Sequence, residues 1–425
     1  MSTDSEASFT INIAQGEIEF LRKKLELTRL PDEITDAGRD YGVPLTDIRR
    51  LLARWKDGYD WKKHEAILNA ELPQFTRKVA VDGFDELDIH YVHKKSKIKD
   101  ALPLLFVHGW PGSFIEVRKI LPLLTAPSDE YPSFHVVTFS LPGYGFSSNP
   151  TKRGFGMDQY AEVGHKLMLA LGYHEYVTQG GDWGFYILRR QASLYGGTHN
   201  KAWHTNFPRA LPDVEPPSSL PNPYDGLTEV ERNGLGRTKW FRSEGRGYAI
   251  EQGTQPQTLG YSLADSPVGL LGWIYEKLVN WSDEYPWEED EGLFLSVFTS
   301  RYMANFSVPT VLTWVSIYWF SRAGPTASLR IYYERMHEGS SPEETHIPMG
   351  YSYFPKELWR VPSRWLQAPN LVFESEHTEG GHFAAHEKPE LLVGDLRTMF
   401  GKGGPAFGVV PGKTGYNAEV RHPPS

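Results

Sequence analysis

Residues 176–191 read Tyr-Val-Thr-Gln-Gly-Gly-Asp-Trp-Gly-Phe-Tyr-Ile-Leu-Arg-Arg-Gln. A short strand pattern, Tyr176 to Gln179, runs into Gly180-Gly181-Asp182-Trp183-Gly184 and then into a helical pattern from Phe185 to Gln191. A tight strand-to-helix turn needs small residues on each side of its apex, and the apex side chain is then aimed out over the end of the sheet. The apex here is Asp182. Turns of this kind, nucleophile elbows, usually carry serine, but no Gly-x-Ser-x-Gly occurs in the chain. That counts against an ordinary serine esterase. The plainer reading is a Gly-rich turn whose aspartate caps the following helix.

Working outward, the pattern around this turn alternates between strands and helices. Val79 to Val81 and Leu87 to Val92 read as a hairpin pair, and Leu102 to Val107 is an apolar run of strand length. His135 to Leu141, Tyr176 to Thr178 and Ala202 to Phe207 are further short strands, with helices expected over Ile115–Leu124 and Met157–Leu171. Such alternation implies a mostly parallel sheet with right-handed crossovers. Upstream, Ile13 to Leu27 and Asp47 to Trp55 carry apolar residues at helical spacing, and Asp57-Gly58 breaks the second. Downstream, Pro208, Pro212, Pro216, Pro217 and Pro221, with Pro223 just beyond, mark a loop. A helix-rich, aromatic stretch follows, and Val308 to Phe320 within it reads as a buried helix. A strand at Asn370–Glu374 and a helix at Leu391–Phe400 return to the core pattern. The division expected is a helical meander over 1–90, a first core segment over 91–207, a helical cap over 208–345, and a second core segment with an irregular tail over 346–425.

A carboxylate at the elbow changes the chemistry. Attack on an alkyl carbon gives an ester on the enzyme, and water must then attack the carbonyl carbon of that ester. The reaction therefore needs a general base and an oxyanion hole. The base candidate is His382, in Glu379-Gly380-Gly381-His382-Phe383, because histidine titrates near neutrality. His386 lies four residues on and raises a His-x-x-x-His metal pair, for which no third ligand stands at the expected spacing; no metal is expected. The oxyanion-hole candidate is His108-Gly109-Trp110-Pro111-Gly112, directly after the strand 102–107. There the backbone N–H groups of Trp110 and Trp183 can converge on one oxygen. A Gly/Pro turn is the default reading of such a composition. The three pieces occur in order, each at a strand end, and together they are far more specific than any one.

Composition removes other classes. With 44 Lys plus Arg against 53 Asp plus Glu, the net charge is −9, and no basic tract points to nucleic acid or an anionic membrane. There are no cysteines, which excludes disulfides, thiolate catalysis and Cys-bound metals. Met1 to Ser8 has no basic and apolar signal regions, and no apolar run reaches the length of a membrane span. A soluble, cytoplasmic chain without a membrane anchor is the expectation.

With these motifs on the page, the chain resembles the epoxide hydrolases of the microsomal and juvenile-hormone type, from about residue 9 to 400. The resemblance rests on His108-Gly109-Trp110-Pro111-Gly112-Ser113, Gly181-Asp182-Trp183-Gly184 and Gly380-Gly381-His382-Phe383-Ala384-Ala385. It also rests on Thr28-Arg29-Leu30-Pro31-Asp32-Glu33 and on Trp55 to Glu65 in the N-terminal meander. It implies an α/β-hydrolase fold with a helical cap. It also implies a charge-relay acid in a Phe-Pro-x-Asp/Glu motif, here Phe354-Pro355-Lys356-Glu357; Glu374, Glu376 and Glu379 compete by position alone. Two cap tyrosines holding the oxirane oxygen are implied as well. Tyr248 matches the first; Tyr332 aligns best with the second, and Tyr333 is its rival. The soluble relatives suggest a homodimer. Leu263 to Leu270 also match the family and read as a helix start, with Ser266 capping and Pro267 in the first turn.

The expected reaction is hydrolysis of a small-molecule epoxide to a vicinal diol with water as the only co-substrate and no cofactor. Asp182 opens the ring, Tyr248 and Tyr332 polarise its oxygen, and His382, oriented by Glu357, activates the water. The amides of Trp110 and Trp183 hold the oxyanion. Two rivals remain: a haloalkane or haloacid dehalogenase with the same aspartate elbow, and a hydrolase-fold binding protein without catalysis.

Overall fold

The computed structural model describes residues 6–209, 216, 220–287, 311–339, 344–366, 368 and 370–417. Among the described residues, nine strands form one mixed sheet: β1 (Ala7–Ser8), β2 (Gln74–Val79), β3 (Leu87–Lys94), β4 (Leu102–Val107), β5 (Phe134–Phe139), β6 (Tyr176–Gly180), β7 (Asn200–Thr205), β8 (Met349–Tyr353) and β9 (Leu371–Glu376). Their spatial order is β1-β2-β3-β5-β4-β6-β7-β8-β9. From β5 to β9 all pairings are parallel, and β1, β2 and β3 add an antiparallel edge. Every residue of β4 is buried, as a strand covered by helices on both faces must be. Helices follow the chain as α1 (Gln15–Glu26), α2 (Leu45–Asp57), α3 (Trp61–Glu71), α4 (Ile120–Thr125), α5 (Met157–Ala170), α6 (Trp183–Tyr195), α7 (Glu229–Trp240), α8 (Gly247–Thr254), α9 (Pro256–Asp265), α10 (Pro267–Trp281), α11 (Val311–Trp319), α12 (Arg330–His337), α13 (Ala384–Glu387) and α14 (Pro389–Phe400).

Several boundaries differ from the sequence reading, each for a physical reason. The hairpin's first strand lies upstream of Val79–Val81, at β2, because Gln74 to Val79 find partners from Val92 to Leu87. The sheet therefore starts inside the 1–90 segment read as helical meander. β8 was not anticipated: Met-Gly-Tyr-Ser-Tyr lacks a β-branched pattern, yet it pairs on both sides. The helix expected over Ile115–Leu124 divides into a 3₁₀ turn, Phe114–Arg118, and α4. The proline-rich loop lies largely outside the described residues, and so does the start of the apolar run at 308–310. The rest of that run is α11, buried throughout.

The meander is tied down by Glu65. Its carboxylate accepts the Ile13 N–H at 2.7 Å and the Trp61 Nε1–H at 3.0 Å, and α3 itself starts at the Asp60 cap. In the cap, α10 begins as read: Ser266 accepts the Gly269 N–H at 3.0 Å and Pro267 opens the first turn. The cap also grips the core at one functional place. From α11, Trp314 Nε1 donates to the Pro111 carbonyl, and the Tyr318 hydroxyl donates to the Gly112 carbonyl at 2.6 Å. Those two bonds satisfy the carbonyls of Pro111 and Gly112. Among the described residues no helix is long and apolar enough to cross a membrane.

Candidate active site

The site stands where β4, β6 and β8 end. Asp182 joins β6 to α6 with φ 50° and ψ −123°, an L-residue held in the left-handed half of the backbone map, where strain is stored only if the surroundings enforce it. Its side chain does not cap α6, so the plain-turn reading fails. The Trp110 N–H donates to Asp182 Oδ1 at 2.8 Å. The close approach is possible because residue 109 is glycine: a Cβ there would fall 2.4 Å from that of Asp182. The bond between Trp110 and Pro111 is cis. Trp183 is the first residue of α6, so its amide belongs to the turn that has no intrahelical acceptor.

His108 fixes the oxyanion loop from beneath. Burial pushes its pKa down to about 4, against the Gly109 carbonyl and the Asp182 charge, which raise it. The ring is therefore neutral. Its Nε2 accepts the Leu141 N–H at 3.2 Å, and Nδ1–H donates to the Gly109 carbonyl at 2.9 Å.

His382 lies between two carboxylates. Its Nδ1–H donates to Glu357 Oε1 at 2.6 Å, and its Nε2 is 3.5 Å from Asp182 Oδ2. Burial pulls its pKa down, but the Glu357 charge and the hydrogen bonds and charge of Asp182 outweigh this and push it up to about 10. Glu357 is fully buried and also accepts the Leu358 N–H at 2.6 Å. The competing acids point elsewhere and are exposed. Glu374 accepts from the Tyr353 hydroxyl, Glu376 pairs with Arg360, and Glu379 pairs with Lys388. His386, the other half of the considered metal pair, stacks on Trp287 at 5.2 Å.

Above Asp182 opens a cavity of about 550 Å³ lined by both core and cap, including Trp183, Phe207, Tyr248, Tyr332 and Trp359. Tyr248 stacks on Trp110 with ring centres 5.2 Å apart, and Tyr332 meets Trp183 edge-on at 4.7 Å. Both hydroxyls have pKa values raised well above the usual tyrosine value, by burial first and by the Asp182 charge, with Tyr248 acting on Tyr332 as well. They are therefore hydrogen-bond donors at neutral pH. Tyr333 turns away from the cavity. Its hydroxyl accepts from Arg153 at 3.2 Å, and its ring stacks on His337.

Comparison with known proteins places this geometry. Residues 6–117 match the model of the epoxide hydrolase N terminus, and residues 103–201 match that of the alpha/beta hydrolase fold. The chain is 35% identical to epoxide hydrolase 1 of Sus scrofa, covering 92% of this chain and 88% of that one. It is 33% identical to juvenile hormone epoxide hydrolase 1 of Ctenocephalides felis, over 93% and 85% of the two chains. It superposes on the Aspergillus niger epoxide hydrolase with a TM-score of 0.76 at 33% identity, covering 93% and 95% of the chains. The chain belongs to the epoxide hydrolase family.

In this epoxide hydrolase family member, the structure brings Asp182, His382, Glu357, Trp110, Tyr248 and Tyr332 to one end of the sheet. Sequence reasoning missed the cap's hold on the base. The His382 N–H donates to the Trp281 carbonyl at 2.9 Å, and the Trp281 ring lies 5.0 Å from the imidazole. Asp283, just beyond α10, accepts the Gly380 N–H at 2.8 Å. These residues sit about a hundred positions upstream of the histidine loop in no motif, so spacing carried no signal for them.

Proposed function

We propose that the protein hydrolyses epoxides to vicinal diols through a covalent ester on Asp182. The observation that carries the proposal is the set of groups gathered at that side chain. Two buried cap phenols line one cavity with the Asp182 carboxyl, and a carboxylate-oriented histidine reaches the same carboxyl. Oδ1 is held by the Trp110 amide and Oδ2 is left to attack.

In the first step Oδ2 forms a bond to an epoxide carbon as the carbon–oxygen bond of the ring breaks. The ring oxygen takes a proton from the tyrosine pair, leaving a neutral ester and a tyrosinate. In the second step His382 removes a proton from water as the oxygen attacks Cγ, and negative charge gathers on Oδ1 against the amides of Trp110 and Trp183. Collapse breaks the Cγ–Oδ2 bond, and Oδ2 leaves with the product as the second diol oxygen. One water proton ends on that oxygen, and the other restores the tyrosine. Loss of the Asp182 charge on esterification lowers the proton affinity of His382, which releases its proton to solvent, enters the second step as the free base and is reprotonated when Asp182 regains its charge. General-base assistance of this kind contributes about 10²–10⁴-fold.

A dehalogenase is not favoured, because two buried phenols over the nucleophile match an oxygen that becomes an alkoxide. The test is diol formation from racemic styrene oxide by wild type beside Asp182→Ala. Turnover that vanishes in the variant supports both reaction and nucleophile; halide release from haloalkanes without diol formation would overturn the reaction, and diol formation surviving in Asp182→Ala would overturn the nucleophile. A homodimer and a cytoplasmic location belong to the same proposal. A sedimenting mass of a single chain would remove the first, and recovery with membranes on cell fractionation the second.

A further inference from the structure

Asp182 also borders a second and much smaller cavity of about 10 Å³, with neither Tyr248 nor Tyr332 in its lining. Its walls include Gly109, Asp182, Asn206, His382 and Glu116. A cavity of roughly this size is the least that holds one water molecule, and a water needs two to four polar partners to stay in it. All the partners for that water are present. The cavity is lined by both His382 and Asp182.

Glu116 is a carboxyl group that the mechanism above does not use. It lies in the 3₁₀ turn Phe114–Arg118, one turn past the oxyanion loop. Its carboxyl oxygen fills the place a side chain at residue 112 would take, since a Cβ on Gly112 would come 1.4 Å from Glu116 Oε1. Gly112 therefore makes room for the carboxyl to reach back beneath the loop. Burial raises its pKa to about 8; Asp182 adds to this, and His382 and the amides of Gly109 and Ser113 oppose it. Burying a carboxyl group costs stability unless it is hydrogen-bonded, and the amides of Gly109 and Ser113 meet part of that need.

We propose that Glu116 is a positioning residue for the second half-reaction, its carboxyl oxygen accepting one O–H of the hydrolytic water while the other O–H faces His382 Nε2. With both hydrogens engaged, the water's lone pair is directed at Asp182 Cγ from the side opposite the bound diol precursor. Attack then forms the Cγ–O bond, and the proton passes to His382; Glu116 gains and loses none. The inference rests on the covalent reading of the site. It assigns to Glu116 no part in ring opening.

The experiment is single-turnover kinetics with racemic styrene oxide, following the enzyme ester by mass spectrometry, for wild type, Glu116→Gln, Glu116→Leu and Glu116→Ala. The amide of Glu116→Gln keeps a carbonyl acceptor, and its hydrolysis rate stays within about fivefold of wild type, as one neutral hydrogen bond replaces another. Glu116→Leu fills the space without an acceptor: the ester forms within about threefold of the wild-type rate but hydrolyses on the order of 10²-fold slower and accumulates. Glu116→Ala gives the same split if the leucine variant does not fold. Ring opening and hydrolysis falling together in the leucine or alanine variant, or no difference between them and Glu116→Gln, would overturn the proposal. No ester in wild type would overturn the covalent reading and this inference with it.

Discussion

His382 Nδ1 lies 2.6 Å from Glu357 Oε1, and the carboxylate is reached across 25 residues of chain from a fully buried position. The contact sets the tautomer. With Nδ1 donating to Glu357, Nε2 is the nitrogen turned toward Asp182, 3.5 Å away.

Replacing Glu357 by Gln keeps the shape and removes the charge that favours the imidazolium formed during water attack. The expected result is hydrolysis of the ester slowed by about 10²–10⁴-fold, as for other base-orienting acids, with ring opening less affected. Rapid-quench measurement of ester and diol separates the two. A variant in which the ester never accumulates would count against Glu357 as the orienting acid.

The pH dependence follows from the charges around His382. In the free protein its pKa is pushed up to about 10 after burial is offset, so it is protonated at neutral pH. The ester has lost the Asp182 charge, so the pKa of that state is lower. A general base works only deprotonated, so hydrolysis falls as pH drops through the ester-state value, whereas ring opening does not depend on that deprotonation. Stopped-flow profiles should show ester accumulating toward acid pH. Ester accumulating toward alkaline pH instead would reverse the assignment.

The tyrosine pair acts before the histidine. Tyr248→Phe and Tyr332→Phe should each slow ring opening by about 10- to 100-fold, the equivalent of one hydrogen bond to a developing charge. Tyr333→Phe should stay within about twofold, since that hydroxyl faces Arg153 and not the cavity. Equal loss in Tyr333→Phe and Tyr332→Phe, measured as the ester-forming rate, would undo the choice between them.

The elbow and oxyanion loop are packed without slack. Gly109→Ala puts a Cβ 2.4 Å from that of Asp182. Overpacking of this kind costs about 1–3 kcal/mol, so the denaturation midpoint should fall and ester formation should fall with it. A variant as stable and active as wild type would show that the loop has room the structure denies it.

The parts of the site that were legible in the sequence are those written in local backbone chemistry. The elbow around Asp182, the loop at Gly109 to Gly112 and the loop at Gly380-Gly381-His382 each need small residues at fixed places, and β4 is buried on both faces and so reads as an unbroken apolar run. Glu357 and the tyrosines were reachable only through the family motif, because a buried acid 25 residues from its histidine and two phenols among 22 tyrosines carry no local mark. Tyr332 and Tyr333 are neighbours, and only the rotation of α12 between them separates the cavity from the surface. β8 escaped because Gly350 and Ser352 lack strand propensity and are held by neighbours on both sides. Glu116 escaped for the reason that hides most buried acids: in an amphipathic segment it looks like a solvent-facing residue, and only the absence of a side chain at Gly112 lets it turn inward.

The central claim is that water attacks an ester carbonyl and not the epoxide carbon. A single turnover in ¹⁸O-labelled water, with enzyme in excess over styrene oxide, tests it most directly. The account predicts label in the Asp182 carboxyl group, found by peptide mass spectrometry, and an unlabelled first diol. Label in that first diol with none in Asp182 would mean direct attack by water, and would contradict the covalent role given to Asp182.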